Sequence, residues 1–263
     1  MASQRWATFD CYGTLIDWKG GIVAELERLF PPPEPEEEPE ADEPELSEDE
    51  GEDADEAAEA EDAGEEDDED EDEEPEDELD PHIEALLRQY HDLERDLERD
   101  GSLSYREVMT EAMRRLGAPE GEEGGLAASL PDWEPFPETF NALTEIRERG
   151  WKIAILSNSD LDLIEASKAK IGVPIDETIV ASQIHSYKPA LMHWFEFYAR
   201  TLADKRRHVH VGASNYHDIV PAAKLRIPNV WINREGEHPY TAPTIQLADM
   251  YELGQVLDDL LPA

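Results

Sequence analysis

The stretch Trp6-Ala7-Thr8-Phe9-Asp10-Cys11-Tyr12-Gly13-Thr14-Leu15-Ile16-Asp17-Trp18 decides how the rest of the chain is read. A short apolar run, residues 5–10, ends on an aspartate. A Gly-Thr turn follows. Then Ile22, Val23, Leu26, Leu29 and Phe30 recur at helical spacing. In a chain that alternates strands and helices, ligands sit outside the carboxyl ends of parallel strands. Asp10 is where such a chain would place a reactive carboxylate; an aspartate that only caps a turn is the plainer alternative.

Pro31-Pro32-Pro33 stops the first helix, and the composition then changes. The 263-residue chain has a formal net charge of −44, and that charge is local. Residues 31–80 hold 32 Asp or Glu and no Lys or Arg, which leaves 34 acids against 22 bases elsewhere. Self-repulsion and the near absence of large apolar side chains make a disordered insertion the expectation for 31–80. A tolerated surface insertion costs little loop-closure entropy; an interaction tail, or a solvating device for a high-salt cytoplasm, is the alternative. So much acid argues against nucleic acid or an anionic membrane as partner. The single cysteine, Cys11, excludes an intrachain disulfide framework. No apolar run is long enough to span a bilayer, so a soluble cytoplasmic protein is expected.

From Asp80-Pro81 onward Ile83, Leu86, Leu87, Tyr90, Leu93 and Leu97 make one helical stripe. Ser104 with Glu107 is a capping-box pattern opening a second helix, which Gly117 ends. A short third helix is expected over 122–130. Helices without intervening strands read as a helical cap inserted after the first strand–helix unit. The expected division is a core of 1–17 and 132–263 and a cap of 18–131 that contains the acidic insertion. Exposed apolar residues on the cap helices would suit a homodimer as well as packing onto the core.

After Phe136 the pattern alternates strictly. Helix 138–149 leads to strand 152–156, helix 161–171 to strand 178–180, helix 191–202 to strand 208–211, and helix 219–225 to strand 230–232; a last helix covers 253–261. This predicts an α/β fold, a Rossmann-like parallel sheet with helices on both faces. Polar residues follow each strand: Asp10; Ser157 and Asn158; Lys188-Pro189; then Asn215 to Asp218. Asp10 would be a nucleophile. Lys188 would keep it ionised, with Pro189 at the first position of the next helix. Ser157 and Asn158 would donate to a carboxylate or a leaving anion, and Asp218 would activate water or orient Lys188. Singly, a surface lysine or an N-cap serine is the commoner case; their joint occurrence at successive strand ends favours a site.

With these residues in place the chain resembles the haloacid dehalogenase superfamily over nearly all of its length except 31–80. Phe9 to Leu15 looks like its first motif, Leu156-Ser157-Asn158 its second, Tyr187-Lys188-Pro189 its third, and Asn215 to Asp218 its fourth. Asp-x-Tyr-Gly-Thr-Leu and Trp231-Ile232-Asn233-Arg234 look closest to the (S)-2-haloacid dehalogenases. The resemblance implies attack of Asp10 on a short 2-haloacid and hydrolysis of the ester to a 2-hydroxy acid. Asp218, Lys188 and Asn215 would position the water, and Thr14 would bond Asp10. Substrate would be held by the backbone N–H groups of Cys11 and Tyr12 with Ser157 and Asn158. The superfamily's phosphatases carry acids where this chain has Tyr12 and Ala213, so no metal and no cofactor is expected. The branch has a cap arginine and a tyrosine six residues after the lysine. Here no arginine occurs between Arg28 and Arg88, and Trp194 takes the tyrosine's place. Arg88, Arg95 and Arg99 are the candidates to substitute. Hydrolysis of another small substrate, phosphatase-like, and a binding protein that uses its acidic tract are the alternative readings. Cys11 as a small buried hydrophobe and His217 as a helix-start residue facing solvent or the cap stay outside the catalytic set.

Overall fold

The computed structural model describes residues 4–31 and 79–263. The expectation of disorder over 31–80 falls almost wholly outside the described residues. Six strands form one sheet: β1 (Arg5–Phe9), β2 (Trp151–Ser157), β3 (Glu177–Val180), β4 (His208–Gly212), β5 (Asn229–Ile232) and β6 (Ile245–Leu247). Their order is β3-β2-β1-β4-β5-β6, and all neighbours run parallel. The chain builds outward from β1 to one side, then returns to build on the other. The switch lies between β1 and β4, and such a point leaves a crevice outside the carboxyl ends of the strands. Asp10 follows β1 directly, and Ala213 to Asp218 follow β4.

Both faces of the sheet are buried, as parallel strands require. Along β2, Ile153 and Ile155 join the larger core, with Phe9, Leu143, Ile164 and Leu257. Ala154 and Leu156 point the other way, to a smaller core of Ile179, Trp194, Phe197, Ala222 and Ile227. The first face is covered by α5 (Thr139–Glu148), α6 (Leu161–Ile171) and α10 (Leu253–Leu260). The second is covered by α8 (Met192–Thr201) and α9 (Val220–Lys224). The four-residue α7 (Ala181–Ile184) and strand β6 are additions to the expected elements.

Between β1 and α5 the chain forms α1 (Trp18–Leu29), α2 (Pro81–Glu98), α3 (Tyr105–Leu116) and α4 (Gly125–Ser129), packed on one another. Ser104 and Glu107 make the expected reciprocal cap, and Gly117 closes α3 at φ +96°. This helical layer is fastened to the sheet's carboxyl end. Asp160, between β2 and α6, accepts the N–H groups of Tyr105 (3.1 Å) and Arg106 (3.0 Å) at the start of α3. Tyr187 donates its hydroxyl to Leu103 O at 3.0 Å. Among the described residues no helix is long and apolar enough to cross a membrane.

One local expectation is corrected. Pro189 is not at the first position of a helix: α8 begins at Met192, and Pro189 lies in the turn before it, joined to Lys188 by a cis peptide bond. What fixes the approach of Lys188 is Asn158. Its Oδ1 accepts the Lys188 N–H (2.6 Å) and its Nδ2 donates to the Lys188 carbonyl (3.1 Å).

Candidate active site

The turn after β1 builds the first wall. Gly13 has φ +85°, where any other residue is strained, and it lets the chain fold back so that the N–H groups of Leu15 and Ile16 reach Cys11 O. Thr14 is thereby fully buried. Its hydroxyl donates to Asp10 Oδ2 at 2.9 Å and accepts the Ala213 N–H at 2.8 Å. One hydroxyl thus ties the loop after β1 to the loop after β4. Among the described residues no backbone acceptor takes the N–H of Cys11 or Tyr12.

The second wall is the tight turn after β4. A Cβ on Gly212 would lie 2.5 Å from the side chain of Asp218, so only glycine lets that carboxylate fold back against the strand end. Residues Asn215–Ile219 make one π-helical turn, which sets Asp218 inward and fully buried. Trp231 on β5 donates its indole N–H to Ala213 O at 2.7 Å and fixes the loop from behind.

Lys188 enters between the two walls. Its Nζ donates to Asp10 Oδ1 and to Asp218 Oδ1, each at 2.7 Å, and the side chain is 1 % exposed. Two carboxylates share one cation, so the three groups together carry net charge −1. Burial works against the Lys188 ammonium, but Asp10 and Asp218 outweigh it and hold the lysine above its ordinary value. The two acids diverge. Burial lifts Asp10 above the usual carboxylate range although Lys188 and Thr14 pull down. Asp218 is buried too, but Lys188 and His210 hold it well below that range. One carboxylate is therefore the more basic and the other stays firmly ionised, the kind of split that separates roles in a site.

Of the residues expected to converge, Asp10, Thr14, Lys188 and Asp218 do so. Ser157 is buried at the end of β2, and its hydroxyl has no partner among the described residues. The two amides are spent otherwise than expected. Asn158 holds the backbone of Lys188 and donates to Glu98 Oε2 at 3.1 Å. Asn215 donates to Thr241 O (2.9 Å) and accepts the Thr241 N–H (3.0 Å), pinning the segment before β6. Cys11 is fully buried, and burial pushes its thiol up and keeps it protonated. The Tyr12 hydroxyl lies 3.1 Å from Ser167 Oγ. His217 faces the helical layer, 3.9 Å from Glu98, with burial lowering it to about 4, so it stands neutral.

The helical layer brings an acid to this place, not an arginine. Arg88, Arg95 and Arg99 are all exposed and paired along their own helix with Glu84, Asp92 and Asp96. Glu98, at the end of α2, is the buried one, and burial drives its carboxyl well above the usual range. Glu94, a turn earlier, accepts from the hydroxyls of Tyr105 (2.9 Å) and Tyr90 (3.3 Å) and is lifted by burial to about 7. Sequence reasoning missed Glu98. Its only signal is an acidic residue on the apolar stripe of α2.

A doubly wound sheet with a carboxylate after β1, a lysine after β3 and a carboxylate after β4 defines a class of hydrolase. The family model for haloacid dehalogenase-like hydrolases matches residues 5–225, and the chain belongs to that family. Within it the chain is 32 % identical over 104 residues to an (S)-2-haloacid dehalogenase of Pseudomonas sp. (strain YL), across 39 % of this chain and 44 % of that one. It spans about half the length of the curated relatives it matches. Among solved structures, the L-2-haloacid dehalogenase RSc1362 superposes with a TM-score of 0.71 at 22 % identity, covering 98 % of this chain and 100 % of that one. The L-2-haloacid dehalogenase of Xanthobacter autotrophicus with chloropropionic acid covalently bound gives 0.69 at 14 %, covering 97 % and 98 %. At these identities the likeness is one of fold.

Proposed function

We propose that the chain is a hydrolase of the (S)-2-haloacid dehalogenase type, with residues 18–131 as its cap and Asp10 as its nucleophile. The observation that carries the reading is the Lys188 ammonium held at 2.7 Å from both Asp10 and Asp218. It keeps a basic, nearly buried nucleophile ionised beside a second, firmly ionised carboxylate whose Oδ2 is left by Lys188 and His210 to take a proton from water. The names of the relatives point the same way. Tyr12 and Ala213, neither of them a hard-cation ligand, favour a route without metal, and nothing in the route calls for a cofactor.

In the first step Asp10 attacks C2 of the haloacid. The C2–O bond forms as the carbon–halogen bond breaks, halide leaves with the electron pair, and C2 inverts. In the second step water adds to the Asp10 carboxyl carbon while its proton passes to Asp218. The ester C–O bond then breaks, the departing alkoxide takes its proton from Asp218, and Asp10 sheds its remaining proton to solvent. Thr14 fixes the nucleophile's rotamer. The Cys11 and Tyr12 N–H groups and the Ser157 hydroxyl, none of them given a partner above, would hold the substrate carboxylate or the halide. Asn158 serves by placing Lys188.

Halide release from (S)-2-chloropropionate tests this, measured for the wild type and Asp10→Asn with and without EDTA. Release that survives EDTA and vanishes in Asp10→Asn is expected. No release, with p-nitrophenyl phosphate cleaved only when Mg²⁺ is added, would replace the reading with phosphoryl transfer.

A further inference from the structure

Three polar side chains interrupt the apolar face that β1 and β4 turn toward α8. Thr8, His208 and His210 are all fully buried there, and the strand register sets Thr8 beside His210. Buried polar groups cost free energy unless hydrogen-bonded, and these form one continuous chain. The Tyr198 hydroxyl, half-buried on α8, lies 2.6 Å from His208 Nδ1. His208 Nε2 is 2.7 Å from Thr8 Oγ1, and Thr8 Oγ1 is 2.8 Å from His210 Nδ1. His210 Nε2 is 3.3 Å from Asp218 Oδ1, the oxygen that Lys188 also holds.

Every proton in this chain is ordered by the one before it. An ionised carboxylate can only accept, so His210 Nε2 carries a hydrogen. With its hydrogen on Nε2, His210 accepts at Nδ1, which takes the Thr8 hydroxyl hydrogen. The Thr8 oxygen is left to receive the N–H of His208 Nε2, and His208 Nδ1 receives the Tyr198 hydroxyl. All donors point inward, toward Asp218. Burial pulls His208 well below the ordinary histidine value, which keeps it neutral as this ordering needs. Trp194 stands edge-on to the His210 ring, centroids 5.0 Å apart, and shuts water out. The other charged or titratable groups that act on this network are Lys188, Asp10, Lys205, His193 and His217.

We propose that His210, backed by Thr8, His208 and Tyr198, is a positioning residue that holds Asp218 as an ionised, fixed acceptor for the ester-hydrolysis step. This rests on the reading of Asp218 as the base. A proton on Oδ1 would face the His210 N–H and the Lys188 ammonium or force all four groups to reverse, so the network keeps that oxygen an acceptor and leaves a proton taken from water to Oδ2. The same polarity closes the inward chain as an exit. A proton that Asp218 takes from water cannot pass outward unless each step turns over, so it stays on the reacting side, where the departing alkoxide needs it.

Two measurements decide the matter. Histidine ring ¹⁵N–¹H correlation spectra of the wild type read the tautomers without any substrate. His208 and His210 are both expected to carry their hydrogen on Nε2; a hydrogen on Nδ1 at either position overturns the proposal, whatever the enzyme's substrate is. The second arm uses (S)-2-chloropropionate. In His210→Phe, kcat is expected to fall about tenfold with KM within about twofold, since one charge-assisted hydrogen bond is lost. Intact-mass spectra during turnover should show the 1-carboxyethyl ester, formed through C2 of the substrate, accumulating on Asp10. His210→Gln, whose amide can donate to Asp218, should recover most of kcat. A folded Phe variant that turns over like the wild type, or a loss that Gln does not recover, overturns the proposal. If no variant and no wild type releases halide, the functional reading has failed, and the ring spectra still decide the ordering of the network.

Discussion

At the scale of the residue, Lys188 decides most. Its ammonium is the counterion of two buried carboxylates, so removing it leaves like charges facing one another without solvent. Lys188→Met is expected to abolish halide release and to cost about 3–5 kcal/mol of stability, the usual penalty for breaking a buried pair by one partner. Urea unfolding beside the halide assay measures both; a variant as stable as the wild type would show that the pair is not what holds the strand ends together. Asp10 gives a pH prediction. Its folded value is raised by burial, and as the proposed nucleophile it would attack only in its ionised form. The acid limb of kcat/KM therefore falls as pH drops through a midpoint above the ordinary aspartate value, and a limb at or below that value would contradict the burial argument. The linkage to stability has opposite signs in the two acids. Asp218, shifted down, adds stability above its unfolded value that is lost as pH falls; Asp10, shifted up, lowers stability as pH rises from its unfolded toward its folded value.

At the scale of the element, the helical layer depends on a cap borrowed from the sheet. Asp160 stands before α6 yet makes no cap hydrogen bond to it; its carboxylate takes the first two N–H groups of α3 instead. Asp160→Ala should cost about 1–2 kcal/mol, a lost helix cap with its favourable dipole. Amide exchange should rise at the start of α3 more than in α6. Exchange that rises in α6 first would mean the carboxylate serves its own helix. This contact also shows where sequence reading stops. The alternation of apolar runs disclosed β1 to β5 and their helices, and each strand end disclosed Asp10, Lys188 and Asp218, because strand ends in a parallel sheet share one edge. Amides at such ends carry no direction. Asn158 and Asn215 could face a ligand or backbone, and only the fold shows them gripping Lys188 and Thr241. His208 and His210 read as ordinary alternate positions of a strand, since their partners Thr8 and Tyr198 come from other elements. Ile245–Leu247 is too short for a period-two pattern to register, and Pro189 looked like a helix start because Lys-Pro spacing does not reveal the turn that precedes α8.

At the scale of the molecule, the described residues form both walls of the site and the layer above it without the acidic tract. Every catalytic group proposed here lies in 4–31 or 79–263, and α1 and α2, which flank the tract, pack on one another. Each doubling of a flexible loop costs only about 0.6 kcal/mol, so the chain can carry or lose an insertion there at small cost. Replacing residues 32–78 by a short Gly/Ser linker should leave kcat/KM for (S)-2-chloropropionate within about twofold, well under the tenfold that 1.4 kcal/mol represents. What should change is behaviour governed by net charge. Most of the −44 is removed with the tract, so mutual repulsion falls and solubility at low ionic strength should drop. Sedimentation and turnover measured together at low and high salt separate the two effects. If turnover collapses while the helical content of the remaining chain is unchanged, the tract belongs to the working enzyme and the insertion reading is wrong. Intact turnover with salt-dependent association would assign its acid to the solution around the protein, not to the chemistry within it.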